Sequence, residues 1–349
     1  VVIGNKGGGK GRQCGLGVSP SGAPAYDWGK GKGKNSSTFT QNPLPFDPNS
    51  KTPEPFSIFD YPLPITHSPL PITHYPLPIP HSPFPMPNAP CPLPIAPINS
   101  FSNIRLIATD MDGTLTRQGK FTSALLQALE NLAAVGIKVV IVTGRSAGWV
   151  SGLSSLMPIA GAIAENGGIF YSSNSETVAL TPIPDLVAHR QHLAAAFAQL
   201  QTHFPQIRES TDNRFRITDW TFDVASLTSG ELLSLSNLCQ QLSWGFTYSN
   251  VQCHIKPLGQ DKAVGLLQVL REYFPGYSPE TVVTVGDSPN DESLFDQRYF
   301  PVSVGVANVM EYANQLQHQP VYITTAAEGA GFCELSNYLL QTVKIRNNT

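Results

Sequence analysis

The sequence predicts an α/β fold: an open parallel sheet with helices packed on it, interrupted by a smaller α+β insert and preceded by a low-complexity arm. Three observations carry this expectation. Apolar runs of strand length at 104–109, 137–143 and 281–286 each end in polar turn residues, the pattern of strands buried on both faces. Between the first two runs, residues 123–135 place apolar side chains at helical spacing and stop at Gly136, giving a strand–helix–strand unit. From 168 to 255 the pattern changes to short strands and two helices, and the α/β alternation then resumes at Asp261.

The arm comes first in the chain. Most of the 31 prolines crowd into the first hundred of the 349 residues. Residues 1–40 are rich in Gly, Lys and Ser; Gly4 to Lys10 formally fits the start of a phosphate-binding loop, but Gly11 stands where a Ser or Thr should follow and no amphipathic helix comes after it. Residues 61–87 repeat a seven-residue unit, Tyr61-Pro-Leu-Pro-Ile-Thr-His67 and its variants. Proline at alternate positions removes backbone donors and blocks helix and central strand alike, leaving polyproline II or coil. Residues 1–100 are therefore expected to be a disordered extension, with a ligand for a proline-binding module or a weak histidine metal site as the lesser readings. The chain begins at Val1 rather than Met, which reads as a non-standard start codon or a misplaced gene start, with the repeat as translated DNA upstream of the true start.

Composition excludes some classes of function. A net charge of -3 gives no support to nucleic-acid or membrane-surface binding. Five scattered cysteines, Cys14, Cys91, Cys239, Cys253 and Cys333, contain no CxxC pair, so a zinc site or disulfide framework is not expected and a reducing cytoplasm is. No apolar run approaches the ~20 residues of a membrane helix, and no signal peptide is recognisable at the N-terminus.

After the third strand pass, 159–164, the sequence reads as short strands at 168–171 and 177–180, a helix at 186–203, strand material at 215–225, a helix at 231–242 and strands at 246–255. A helix from 261 to 270, strands at 281–286, 301–306 and 321–324, and a closing helix at 334–343 complete the chain. The core is thus discontinuous, 101–167 with 256–349, around an insert at 168–255.

Polar groups stand at the ends of these elements: Asp110 and Asp112 after the first strand, Thr143 and Gly144 after the second, Lys262 at a helix start, and Asp287, Asn290 and Asp291 after a later strand. Neighbouring parallel strands would gather them on one edge of the sheet, where open α/β sheets hold ligands. Clustered carboxylates repel unless they share a cation, and hard oxygen ligands suit Mg2+ together with a substrate phosphate. A lysine and a threonine hydroxyl nearby complete a set suited to phosphoryl transfer. Each piece alone is an ordinary turn or helix residue; their combination in this order singles out one site.

In these motifs the region from about 101 to 345 resembles the haloacid dehalogenase superfamily phosphatases. Asp110-Met-Asp112-Gly-Thr-Leu matches the first motif, Thr143-Gly-Arg the second, Lys262 the third and Gly286-Asp287-Ser-Pro-Asn290-Asp291 the fourth; Glu165-Asn166-Gly167 and the segment 304–308 resemble the sugar-phosphatase branches. The resemblance implies a Rossmann-like core and a mechanism. Asp110 would be the nucleophile and Asp112 the general acid and base. Thr143, Gly144, Lys262 and Asn290 would hold the phosphate. Asp110, the Asp112 carbonyl and Asp287 would hold Mg2+, with Asp291 acting through water and Asn290 helping to position Lys262.

Only 33 positions separate Asp110 from Thr143, whereas 119 separate Thr143 from Lys262, so the room for a cap domain lies between the second and third motifs. This resembles the smaller form of the second cap type, the type IIB plan of the Cof, sucrose-phosphate, mannosyl-3-phosphoglycerate and archaeal-type phosphoglycolate phosphatases. Arg214, Arg216, His254 and Lys256 are candidates for a second anionic group of the substrate, with plain cap surface the weightier reading. The expected activity is hydrolysis of a small phosphorylated metabolite, a sugar phosphate or a phospho-organic acid. The alternatives are a phosphomutase of similar cap plan and a non-catalytic binding protein using the proline-rich arm.

Overall fold

The apolar runs fold as strands of one large sheet. The computed structural model describes residues 91–93, 98–174 and 176–348, all within the unit Ile79–Thr349; the glycine-rich tail and the proline repeat lie outside the described residues. In chain order the elements are β1 (Cys91–Pro92), β2 (Leu106–Thr109), α1 (Ser123–Ala134), β3 (Lys138–Val142), α2 (Ala147–Leu156), β4 (Gly161–Ala164), β5 (Ile169–Ser172) and β6 (Thr177–Ala179). Then come α3 (Leu186–His203), β7 (Trp220–Asp223), α4 (Ser229–Gln241), β8 (Gly245–Tyr248), β9 (Gln252–Lys256) and α5 (Lys262–Tyr273). The last are β10 (Val282–Gly286), α6 (Glu292–Phe295), β11 (Ser303–Gly305), β12 (Tyr322–Ile323) and α7 (Glu328–Asn348).

The large sheet runs β1-β12-β11-β10-β2-β3-β4-β5-β6, parallel from β1 to β4. β2 lies between β10 and β3, so the chain order reverses there and opens a crevice at the carboxyl ends. Val285 pairs with Thr109, and Thr109 with Ile141; the residues that follow, Asp110, Asp287 and Thr143, leave the sheet side by side. Alternation sets the two faces. Ile107, Val139, Ile141, Val283 and Val285 pack in one core with Leu125, Leu129 and Leu132 of α1 and Leu335 and Leu339 of α7. Leu106, Ala108, Val140, Val142 and Val282 pack on the other with Leu266, Val269 and Leu270 of α5. Local signals begin both helices: Thr122 accepts from the amide of Leu125, and Asp261 from that of Val264.

Residues 181–260 hold a second layer. β7-β9-β8 form an antiparallel sheet, covered by α3 and α4 around a core of Leu193, Phe197, Leu200, Phe222, Leu235 and Ile255.

Three expectations are corrected. β5 and β6, expected in the insert, hydrogen-bond antiparallel on β4 in the large sheet. The cause is a run of left-handed backbone at Glu165, Asn166 and Gly167, with φ of +53°, +53° and +99°, which turns the chain back along the strand it has just left. Helix α2 was not expected, because Gly148, Gly152 and its serines mask the buried Ala147, Val150 and Leu153. The core also begins before Phe101: β1 pairs with β12, and Leu93 is buried. A two-residue edge strand tolerates the prolines that led residues 91–93 to be read as part of the arm. Among the described residues no helix is long and apolar enough to cross a membrane.

Candidate active site

At the β2 end, Asp110 is buried and receives Lys262 Nζ at 2.5 Å on Oδ1. Lys262 is the first residue of α5 and is fully buried; the same ammonium reaches Asp291 Oδ1 at 2.6 Å. Asp291 closes a turn against the end of β10, its Oδ2 accepting from the amides of Asp287 and Ser288 at 2.9 and 3.1 Å. Asp287 accepts from the Thr114 hydroxyl at 2.8 Å and from Asn308 Nδ2 at 2.9 Å. The first turn fits over it only because position 113 is glycine: its φ is +80°, and a Cβ there would stand 2.4 Å from Asp287 Oδ2.

Carboxylate oxygens of Asp110, Asp287 and Asp291 lie within 4.8 Å of one another, all buried. Burial is the largest influence on Asp110: it outweighs the attraction of Lys262 and, with Asp291 and Asp112 adding repulsion, pushes the carboxyl up to about 7. Burial and then Asp110 and Asp291 push Asp287 well above the carboxylate range. Burial alone would lower Lys262; Asp110 and Asp291 raise it instead. The cluster thus holds more negative charge than one ammonium balances, and a divalent cation with oxygen preference fits its donor set.

Thr143 is buried at the end of β3, its Oγ1 accepting from the amide of Arg145 at 3.1 Å; its hydroxyl proton remains to be donated. Asn290 does not meet Lys262 as expected. Its side chain is held by Ser288 Oγ at 2.8 Å and by Asn166 Oδ1 at 3.2 Å. Arg145, quoted in the second motif but given no role, grips Asp112 through Nε at 2.8 Å and Nη2 at 2.7 Å. This two-point pair fixes the orientation of the Asp112 carboxylate.

The second layer closes on this edge. Asp110, Asp112, Thr143, Gly144, Arg145 and Asn290 face Ser249, Val251, Gln252 and His254 across a space of only about 20 Å³, room for a single water. Arg216 donates to the Gly144 carbonyl at 2.9 Å and pairs with Asp219 and Asp212. Glu165 joins the layers: it accepts from the amide of Ala147 at the start of α2, and from Thr218 N and Oγ1 at 2.6 and 2.8 Å. Of the other candidates for an anionic group, Arg214 is exposed over the Phe215 ring, and Lys256 donates to the Gln260 carbonyl.

An open sheet with an acidic cluster and one buried lysine at its switch point defines an enzyme core built around aspartates. Residues 107–215 match the family of haloacid dehalogenase-like hydrolases. The chain is 27% identical over 240 residues to a phosphoglycolate phosphatase of Methanothrix thermoacetophila, covering 68% of this chain and 97% of that one. It is 28% identical over 242 residues to phosphoglycolate phosphatase 1 of Saccharolobus solfataricus, covering 68% and 96%. A solved Thermoplasma acidophilum structure shares the fold with a TM-score of 0.56 and 18% identity, covering 68% of this chain and 98% of that one. Over residues 107–215 the chain is thus similar to the haloacid dehalogenase-like hydrolases, and over a longer span to phosphoglycolate phosphatases.

Proposed function

We propose that this protein is a magnesium-dependent phosphatase that hydrolyses a small phosphomonoester through an aspartyl-phosphate on Asp110. Phosphatase activity is that of its relatives; the metal, the substrate class and the residue roles are the proposal. The observation that carries it is the buried cluster of Asp110, Asp287 and Asp291 around Lys262, with Thr143 beside it.

Asp110 attacks phosphorus with the carboxylate that Lys262 orients. Thr143, the Gly144 turn and Lys262 hold the phosphate oxygens, and Asn290, anchored by Ser288 and Asn166, lines the same edge. Asp112, held by Arg145, protonates the leaving oxygen and later takes a proton from the hydrolytic water. Asp110, the Asp112 carbonyl and Asp287 would hold Mg2+, which when bound offsets the charge of the carboxylates and of the phosphate. Asp291 accepts from the Lys262 ammonium on Oδ1 and from two backbone amides on Oδ2, which supports a role in orienting the cluster. The insert acts as the cap that encloses the substrate.

The test is phosphate release over a panel of phosphorylated sugars and organic acids. Asp110→Asn should lower kcat by about a thousandfold or more with an unchanged circular dichroism spectrum, and EDTA should stop turnover until Mg2+ is restored. Full activity of the Asn variant would sink the mechanism. Conversion of a hexose phosphate to its isomer without free phosphate would replace the hydrolase by a mutase.

A further inference from the structure

His254 on β9 faces the catalytic carboxylates across the cleft, and the groups behind its ring settle what it can bind. Asp219 Oδ2 lies 2.8 Å from His254 Nδ1, while Asp219 Oδ1 and Oδ2 are 2.9 and 3.1 Å from Arg216 Nη1. Burial alone would raise the Asp219 carboxyl, but Arg216 and His254 bring it below its ordinary value. An ionised carboxylate only accepts, so Nδ1 carries the proton and Nε2 of the neutral ring presents a lone pair. Burial favours that neutral ring by lowering the imidazole below its usual range. Arg216 cannot serve a ligand in its place, since Asp212, Asp219 and Gln252 of its own layer already take its donors.

A second group converges on the same point. A methyl carbon at Gly144 would stand 3.1 Å from His254 Nε2 and 3.2 Å from Asn166 Nδ2. Asn166 is 1% exposed; its Oδ1 accepts from Asn290, and its Nδ2 has no hydrogen-bond partner in the protein. Leaving a buried amide donor unmade costs roughly 1–3 kcal/mol, which a bound acceptor would recover. One acceptor and one donor, both neutral, thus stand together beside the phosphate-binding turn.

We propose that His254 Nε2 and Asn166 Nδ2 bind a hydroxyl group of the substrate, making the enzyme selective for hydroxylated phosphomonoesters over carboxylated or plain alkyl ones. This rests on the phosphatase reading and narrows the substrate class of the same site. A hydroxyl donates to Nε2 and accepts from the amide at once. A carboxylate offers only acceptors and meets the ring's lone pair, and a methyl group leaves both polar atoms unmade. Arg145, which lines the cleft, is engaged by Asp112, and Lys262 by Asp110 and Asp291.

Three esters that differ only at this group test it: 2-hydroxyethyl phosphate, phosphoglycolate and ethyl phosphate, with p-nitrophenyl phosphate as a reporter of phosphatase activity. The intact wild-type protein should show kcat/KM for the hydroxyethyl ester at least ~10-fold above the other two. In His254→Phe, which keeps a ring, and Asn166→Asp, which keeps the shape and the left-handed turn, that ratio should fall to within ~3-fold of unity. A wild type that prefers phosphoglycolate or ethyl phosphate overturns the subsite, as does an unchanged ratio in folded variants. Release from p-nitrophenyl phosphate without any ranking overturns the subsite alone. No release from any of the four overturns the phosphatase reading with it.

Discussion

Asp110 is held in a place that favours its protonated form. In the unfolded chain it titrates near an ordinary carboxyl, whereas burial beside Asp291 and Asp112 pushes it up to about 7. Between about pH 4 and pH 7 the folded state therefore binds more protons than the unfolded one, and folding stability falls as pH rises through that window. Asp287 is shifted in the same direction. With EDTA present, the protein should melt at a lower temperature at pH 8 than at pH 5. Magnesium at pH 8 and the Asp110→Asn substitution should each narrow the gap. Arg145 makes a second prediction at this scale. Its two bonds hold both oxygens of Asp112, and hydrogen bonds to a charged group contribute about 1.5–3 kcal/mol. Arg145→Ala should lower kcat/KM by about 10–100-fold, and Arg145→Lys should recover little, because a point charge does not span both oxygens. Asp110, Lys262 and Thr143 were legible as residue types at strand and helix ends. The roles of Arg145 and Asn166 were not, because nothing local says which carboxylate an arginine meets or which amide is left unpaired.

Among the elements, the turn between β4 and β5 does the most to place the rest. Its left-handed residues send β5 back along β4, and Glu165 within it binds the first turn of α2 and the backbone of 217–218. Burial raises the Glu165 carboxyl, and Asp219 adds to it, while the amides of Thr218 and Ala147 pull it down. Glu165→Ala would leave several buried amides without an acceptor. It should cost about 3 kcal/mol or more in a denaturant melt, with faster hydrogen exchange at residues 217–219. Strong periodicity made α1 and α5 readable. α2 escaped because two glycines and a row of serines hide three buried apolar positions, and β5 and β6 were misplaced because their strand pattern does not name a partner.

Across the whole molecule, the reversal of chain order at β2 brings Asp110 and Thr143 together with Asp287, which lies more than a hundred residues further along the chain. The second layer then reduces the cleft to about 20 Å³. Admission of any ligand larger than a water requires that layer to part from the core, breaking contacts such as Arg216 with Gly144 and Tyr248 with Gln315. The N-terminal edge is tied down by Phe101, 1% exposed, with its ring 5.1 Å from that of Tyr322 and 5.3 Å from that of Tyr338. Phe101→Ala should cost about 3–5 kcal/mol in the same melt.

By itself the sequence determined the α/β class, the positions of most core strands and the polar residues that stand at their ends, because periodicity and turn chemistry are local and survive in one dimension. Only the tertiary structure decided which sheet β5 and β6 join, that Arg145 grips Asp112, and that His254 and Asn166 meet at Gly144. All three are tertiary contacts, and the last also needs the insert to fold back over the core; distance along the chain says nothing about such distances in space.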